Sequence, residues 1–267
     1  MRNLRTYGKP PFNVALIHGG PGASGEMAPV ARVLAPFFGI LEPLQTQTTL
    51  KAQVRELSTI LDSAADPPVI LAGFSWGAWL SYILTAGYPG LVKKLILIGS
   101  GPFEPHYVQQ IQAARLSRLS DDEQAEYTAI LGLLDDPDAA GKARMFARLG
   151  QLATKADHYD PGQDNNLEGD IPDRGEQGNI YHEVLREAQE MRKSGALLAL
   201  ADHIHCPVVA IHGNYDPHPA AGVFEPLLPR LQDFRFITLD RCGHKPWIER
   251  QARDRFYEIL RAELNAA

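Results

Sequence analysis

Short apolar runs closed by glycine or proline alternate along this chain with longer stretches whose apolar residues recur every third or fourth position. Phe12 to His18 is the first such run; Gly19-Gly20-Pro21-Gly22 ends it, so it reads as a buried strand entering a loop. A helix from Met27 to Leu34 and a short strand from Phe38 to Leu41 follow. Leu50, Val54, Leu57 and Leu61 mark one helical face, with Thr48 or Thr49 as the cap. Val69 to Phe74 has strand character. The run from Trp76 to about Ala86 is apolar nearly all round, which predicts a helix buried on most sides and ended by Tyr88-Pro89-Gly90. Val92 to Ile98, Pro207 to His212 and Phe234 to Leu239 repeat the strand pattern. Ile248, Ala252, Phe256, Leu260 and Leu264 form the stripe of a last helix. Continuous apolar strands alternating with amphipathic helices predict an α/β fold: a mostly parallel sheet of about six main strands, covered by helices on both faces.

Between Pro102 and Ala201 the alternation lapses. Pro105 to Leu119 reads as helical, and Ser120-Asp121-Asp122-Glu123 is a capping box that opens a helix to Leu134. Asp138 to Ala156 and Tyr181 to Lys193 supply two more, separated by a polar stretch rich in glycine, proline and asparagine. A helical insertion between two strands of one sheet predicts a cap over the strand ends, residues 104–200, on a core made of residues 1–103 and 201–267. The insertion carries 18 acidic and 10 basic residues, the ordinary signature of a solvated face. Its aromatics Tyr107, Tyr127, Phe146, Tyr159 and Tyr181 are expected to pack inside it.

Composition narrows the classes. With 45% hydrophobic and 22% charged residues in 267, the chain can bury a large core. A net charge of −6 without any Lys/Arg block longer than two residues argues against nucleic-acid and acidic-membrane partners. Neither an apolar leading segment nor an apolar run of about 18 residues is present, so the expectation is a soluble, cytoplasmic protein. Cys206 and Cys242 are expected as reduced thiols.

The chemistry is concentrated at Gly73-Phe74-Ser75-Trp76-Gly77, a serine between two glycines where a strand gives way to a helix. That G-x-S-x-G turn needs glycines because backbone approaches backbone there, and it lifts the Ser75 hydroxyl above the sheet. Serine needs a base and a group to orient the base. Asp216, after the strand ending at His212, and His244, after the strand ending at Leu239, both arrive at carboxyl ends of strands, where ligands of such sheets bind. Glu104 and Asp240 are rival acids. Two backbone N–H groups must face the developing oxyanion; Gly20 and Trp76 can supply them. His18, Phe74, His218 and Trp247 flank these loops as candidate pocket residues. His203, His205 and Cys206 lead straight into a strand with no further ligand at metal-binding spacing, so neither metal nor cofactor is expected.

His18-Gly-Gly-Pro-Gly22, Gly73-Phe-Ser-Trp-Gly77, Asn214-Tyr-Asp216 and Gly243-His244 together resemble the α/β-hydrolase superfamily, and the first two are most similar to its proline iminopeptidase branch. The resemblance implies an α/β-hydrolase fold and a small-molecule substrate attacked by Ser75. The chain departs from the pattern in three places: Leu41 to Thr48 replaces a usual Asp-x-Arg-Gly-x-Gly-x-Ser segment, Phe74 stands where glycine is common, and the stretch before Phe12 is too short for the usual leading β-hairpin, so that hairpin is expected to be shortened. The expected activity is therefore hydrolysis of a small acyl substrate, a carboxylic ester first. An N-terminal-proline aminopeptidase is the alternative and a carbon–carbon bond hydrolase the third. The rival from another class is a binding protein that keeps the triad with little turnover.

Overall fold

The structure, a computed structural model, describes residues 3–21, 23–134, 141–162 and 177–266. Seven strands form one sheet: β1 (Leu4–Tyr7), β2 (Phe12–Ile17), β3 (Gly39–Pro43), β4 (Val69–Phe74), β5 (Val92–Ile98), β6 (Val208–Gly213) and β7 (Phe234–Leu239), in the spatial order β1-β3-β2-β4-β5-β6-β7. From β2 to β7 every neighbouring pair is parallel, the six main strands that the apolar runs predict. β1 adds an antiparallel edge against β3. Its four residues, Leu-Arg-Thr-Tyr, mix polarities because an edge strand is only partly covered, and so they carry no apolar signature.

Side chains alternate across a strand, and in this sheet both faces are dry. Leu71, Leu95, Leu97, Val208 and Ala210 point to one face, where α2 (Leu50–Ala64), α3 (Trp76–Gly87) and α9 (Ala221–Leu227) cover them. Ile70, Ala72, Ile96, Ile98, Val209 and Ile211 point to the other, beneath α1 (Ala28–Leu34) and α10 (Arg253–Asn265). Thr49 caps α2, its side chain accepting the Ala52 N–H. α3 is buried on nearly every side, as its all-round apolar sequence requires. The stripe expected from Ile248 begins one turn late: Ile248 lies in a 3-10 turn, Pro246–Ile248, and α10 starts at Arg253.

Between β5 and β6 the chain runs through α4 (Val108–Leu116), α5 (Asp121–Leu134), α6 (Lys142–Asp157), α7 (Gln177–Lys193) and α8 (Ala196–Ala199). The capping box forms, with the Ser120 N–H donating to Glu123 and the Glu123 N–H to the Ser120 hydroxyl. Leu119, Tyr127, Leu152 and Ala156 give α5 and α6 a small core of their own. Asp138, expected at the start of α6, lies outside the described residues, as do the side chains of Phe146 and Tyr181. Tyr107 is buried and bonded to Glu225, whereas Tyr159 is half exposed and packs edge-on against Tyr215. Cys206 and Cys242 are unpaired thiols. Among the described residues no helix is long and apolar enough to cross a membrane.

Candidate active site

The turn after β4 is as tight as its glycines suggest. A Cβ on Gly73 would lie 2.1 Å from the Gly77 carbonyl oxygen, and one on Gly77 would lie 2.4 Å from that of His18. Nothing larger than hydrogen fits between those backbones. Ser75 takes φ 52° and ψ −114°, a conformation L-residues avoid, held in place by its N–H bonding to the Ile98 carbonyl at 2.9 Å. The strain presents the hydroxyl at the top of the sheet.

Three side chains from three strand ends meet there. Ser75 Oγ lies 3.0 Å from His244 Nε2, and His244 Nδ1 lies 2.8 Å from Asp216 Oδ2. Asp216 also accepts from His218, at 2.9 Å from its backbone N–H and 2.8 Å from its ring Nδ1. The His218 and His244 rings stack at 4.4 Å. The rival acids are elsewhere: Asp240 bonds to Asn214, and Glu104 stands near Tyr107 without any bond to His244.

The charges follow from this arrangement. Burial raises the Asp216 pKa, but the imidazoles of His244, His218 and His212 outweigh it and leave the carboxyl well below its ordinary value. Burial lowers the His244 pKa, and the adjacent Asp216 carboxylate more than reverses that, so the imidazole ends above its ordinary value. His218 is lowered by burial and stays neutral more readily. Asp216, His218 and His244 bring potential metal-ligating atoms within 4.8 Å of one another. The two carboxylate–imidazole hydrogen bonds account for that closeness, and the remaining His244 nitrogen faces Ser75.

The glycine loop after β2 is pinned from below. Glu26 accepts the Gly19 N–H at 3.0 Å and pairs with Lys245 at 2.6 Å, tying the loop that carries Gly20 to the one that carries His244. Burial raises the Glu26 pKa, and Lys245 reverses this to leave it low. His18 is fully buried; its Nδ1 lies 2.7 Å from the Gly19 carbonyl, and it braces the same loop. Trp76 begins α3, so its N–H is one of the first-turn donors that no helical carbonyl accepts. Glu249, with no exposed surface, accepts N–H groups from Gly243, Tyr159 and Asp160 at 3.0, 2.9 and 2.7 Å. The His244 N–H reaches the Asp157 carbonyl at 2.8 Å. The histidine loop is therefore built partly from the inserted helices.

A cavity of about 510 Å³ opens over Ser75, with Gly20, Trp76, His218 and His244 on its floor. Its roof presents Ile111, Gln112 and Arg115 from α4 and Leu185, Gln189 and Arg192 from α7, sets at helical spacing that put one face of each helix over the site. Of the four flanking residues singled out in the sequence, only His218 lines the cavity. Phe74 and Trp247 are buried beneath it, their rings 4.7 Å apart and Phe74 4.8 Å from the His244 ring. Their place is behind the histidine, and that of His18 behind the glycine loop, because apolar and aromatic bodies at these turns fill space under the site. Sequence reasoning passed over Glu26, Lys245, Glu249, Arg115 and Arg192. Lys245, directly after His244, was the one with a positional signal.

Comparisons with known proteins bear on the family and the fold. A pimeloyl-[acyl-carrier protein] methyl ester esterase of Neisseria meningitidis serogroup B is 23% identical over 186 residues, a match spanning 68% of this chain and 64%, less than two thirds, of that protein. Among solved structures, a meta-cleavage product hydrolase from Pseudomonas fluorescens superposes with a TM-score of 0.66 at 18% identity, covering 99% of this chain and 94% of that one. A proline iminopeptidase of Mycobacterium smegmatis gives 0.62 at 14% identity, covering 98% and 94%. At such identities the structural likenesses speak for the fold alone. The family match itself runs over residues 14–259, from within β2 to within α10, and by it the chain belongs to the alpha/beta hydrolase family.

Proposed function

We propose that this chain is a serine hydrolase of small acyl substrates, a carboxylic ester first, working through an acyl-enzyme. His244 takes the proton of Ser75 as its oxygen attacks the carbonyl, and Asp216 fixes the imidazole tautomer and stabilises the imidazolium. The Gly20 and Trp76 N–H groups hold the oxyanion. His244 then protonates the leaving alcohol, and water attacks the acyl-enzyme by the same route, releasing the acid and free Ser75. The inserted helices 104–200 act as the cap that roofs the cavity.

The observation that carries this reading is the unbroken chain Ser75–His244–Asp216, with distances of 3.0 and 2.8 Å, facing a cavity. The ester is preferred over an aminopeptidase substrate on charge: among the described residues the cavity wall holds two arginines and no carboxylate, so nothing there would receive a free ammonium group. The esterase relative, although matched over less than two thirds of its length, supports the same choice.

Labelling with a fluorophosphonate probe and hydrolysis of p-nitrophenyl butyrate test the reading. Both are expected in the wild type, and Ser75→Ala should abolish both. A protein that resists the probe and leaves the ester intact would instead be a binding protein, and one that cleaves a proline amide faster than the ester would restore the aminopeptidase.

A further inference from the structure

The two arginines in the cavity roof are differently placed. Arg115 is neutralised: its guanidinium makes two bonds of 2.7 Å to Asp157. Arg192 has no such partner. It is 8% exposed, its Nε has no hydrogen-bond partner, and among the described residues no carboxylate pairs with it. Its one cation contact is with the face of Trp79, 5.2 Å from the ring centroid. A basic residue in the last turn of a helix is favoured by the helix dipole, and that would explain a solvated arginine. It does not explain one withdrawn from water, where an unpaired cation is costly. Lys193 beside it behaves as an ordinary last-turn residue, exposed and paired with Glu190 at 2.7 Å.

The surroundings suit an anion. Gln189, one turn earlier on α7, and Gln112 on α4 add amide groups to the same wall. The Trp76 indole Nε1 is a second buried donor without a partner, and Trp76 also lines the cavity. Trp79 lies one helical turn beyond Ser75 on α3. A group held by Arg192 would share the cavity with the serine while standing on the Trp79 side of it.

We propose that Arg192 is a specificity determinant: it receives an anionic oxygen group, carboxylate or phosphate, borne by the substrate at some distance from the bond that Ser75 attacks. The guanidinium's planar fork matches either oxyanion with two parallel hydrogen bonds. Burial already lowers the arginine's pKa, so a bound anion would also relieve its desolvation. The inference rests on the hydrolase reading above and narrows its substrate to an ester that carries a negative charge.

The test compares four esters on wild type, Arg192→Gln and Arg192→Lys: p-nitrophenyl hexanoate, its analogue ending in a carboxylate (mono-p-nitrophenyl adipate), an ω-phosphonoalkanoate analogue, and p-carboxyphenyl hexanoate, charged on the alcohol. The wild type should prefer at least one charged ester, and which one identifies the anion and its side of the scissile bond. R192Q should lose about tenfold or more in kcat/KM on that ester relative to the neutral one, and R192K less. Equal losses on all esters, or no preference for any charged one, would overturn the proposal while leaving the hydrolase intact. Calorimetry separates the two readings. Wild-type protein should bind adipate but not neutral adipamide, with the adipate signal lost in R192Q. If no ester is cleaved yet that pattern holds, the hydrolase reading fails and the anion site stands. The wild-type adipate and adipamide arms remain decisive if neither variant folds, since equal binding of the two would also refute the site.

Discussion

Glu26 and Lys245 form an ion pair at 2.6 Å that joins the loop bearing Gly20 to the loop bearing His244. The other Glu26 oxygen holds the Gly19 N–H, so one carboxylate sets the spacing between the loop of the proposed oxyanion donor Gly20 and that of the proposed base His244. Glu26→Gln should therefore loosen the hole without touching the substrate. We expect kcat to fall roughly tenfold, less than the hundred- to thousand-fold cost of deleting an oxyanion donor, with KM little changed. Lys245 is 28% exposed at its side chain, so the stability loss should be modest, about 1–2 kcal/mol. Steady-state kinetics and thermal melts of the variant check both. An unchanged kcat would mean that the pair is only structural.

The pH dependence follows from His244. As a base it must be neutral, and its pKa lies above the ordinary 6.5 because Asp216 outweighs burial. Activity should rise with pH and reach half its plateau above 6.5. Stability moves the other way. A raised pKa contributes stability that is full below the unfolded value and lost as pH climbs through the folded one. The Tm difference between wild type and His244→Gln should therefore shrink over the same interval in which kcat/KM grows. A profile flat from about pH 5 to 8 would remove His244 as the base.

Asp216 serves two imidazoles, so its amide variant should show more than a lost tautomer. Asp216→Asn keeps the shape and removes the charge. Turnover should fall by roughly 10⁴. The acid limb of any residual activity should move to lower pH, because burial, which depresses the His244 pKa, is then countered chiefly by the smaller effect of Asp157. The amide keeps one carbonyl oxygen where Asp216 offers two, so it can no longer accept from both His218 and His244 in this variant. A pH profile that keeps its wild-type midpoint in D216N would show that the carboxylate does not set the histidine's pKa.

How much of this could be read from the chain depends on what each part owes to local sequence. The parallel strands were legible because they are buried on both faces and read as unbroken apolar runs; β1 was not, because an edge needs no such run. Ser75 was legible because the backbone geometry at the turn permits only glycine at 73 and 77. His244 and Asp216 could be placed by a rule of topology, since loops after parallel strands converge on one edge. Glu26, Glu249 and Arg192 act across distances of 6 to 219 residues, and no spacing pattern marks them. The three-dimensional fold had to bring their partners together first. In the sequence Phe74 reads as a departure from the branch and a candidate pocket residue. It is instead a spacer, wedged between the Trp247 and His244 rings.

Glu249 offers the sharpest test of whether the inserted helices help to build the catalytic loop. It is wholly buried, pairs with no cation among the described residues, and receives three backbone N–H groups: Gly243 from the histidine loop, and Tyr159 and Asp160 from the segment after α6. Glu249→Ala would leave one buried donor, the Gly243 N–H, and two part-buried ones unpaired, each costing up to about 1–3 kcal/mol. The sum is a large share of a domain's typical 5–15 kcal/mol, so the alanine variant should melt far lower or fail to fold. Glu249→Gln is the readable case. Its single carbonyl oxygen can take the place of the one that accepts from both Gly243 and Tyr159, while its amide presents hydrogens to the Asp160 N–H and loosens the junction there. Because Gly243 directly precedes His244, a loosened junction should lower kcat and fluorophosphonate labelling rate together. The loss should be equal for neutral and charged esters, since Arg192 is untouched. A variant that melts early yet labels at the wild-type rate would show that the junction stabilises the fold without positioning the base.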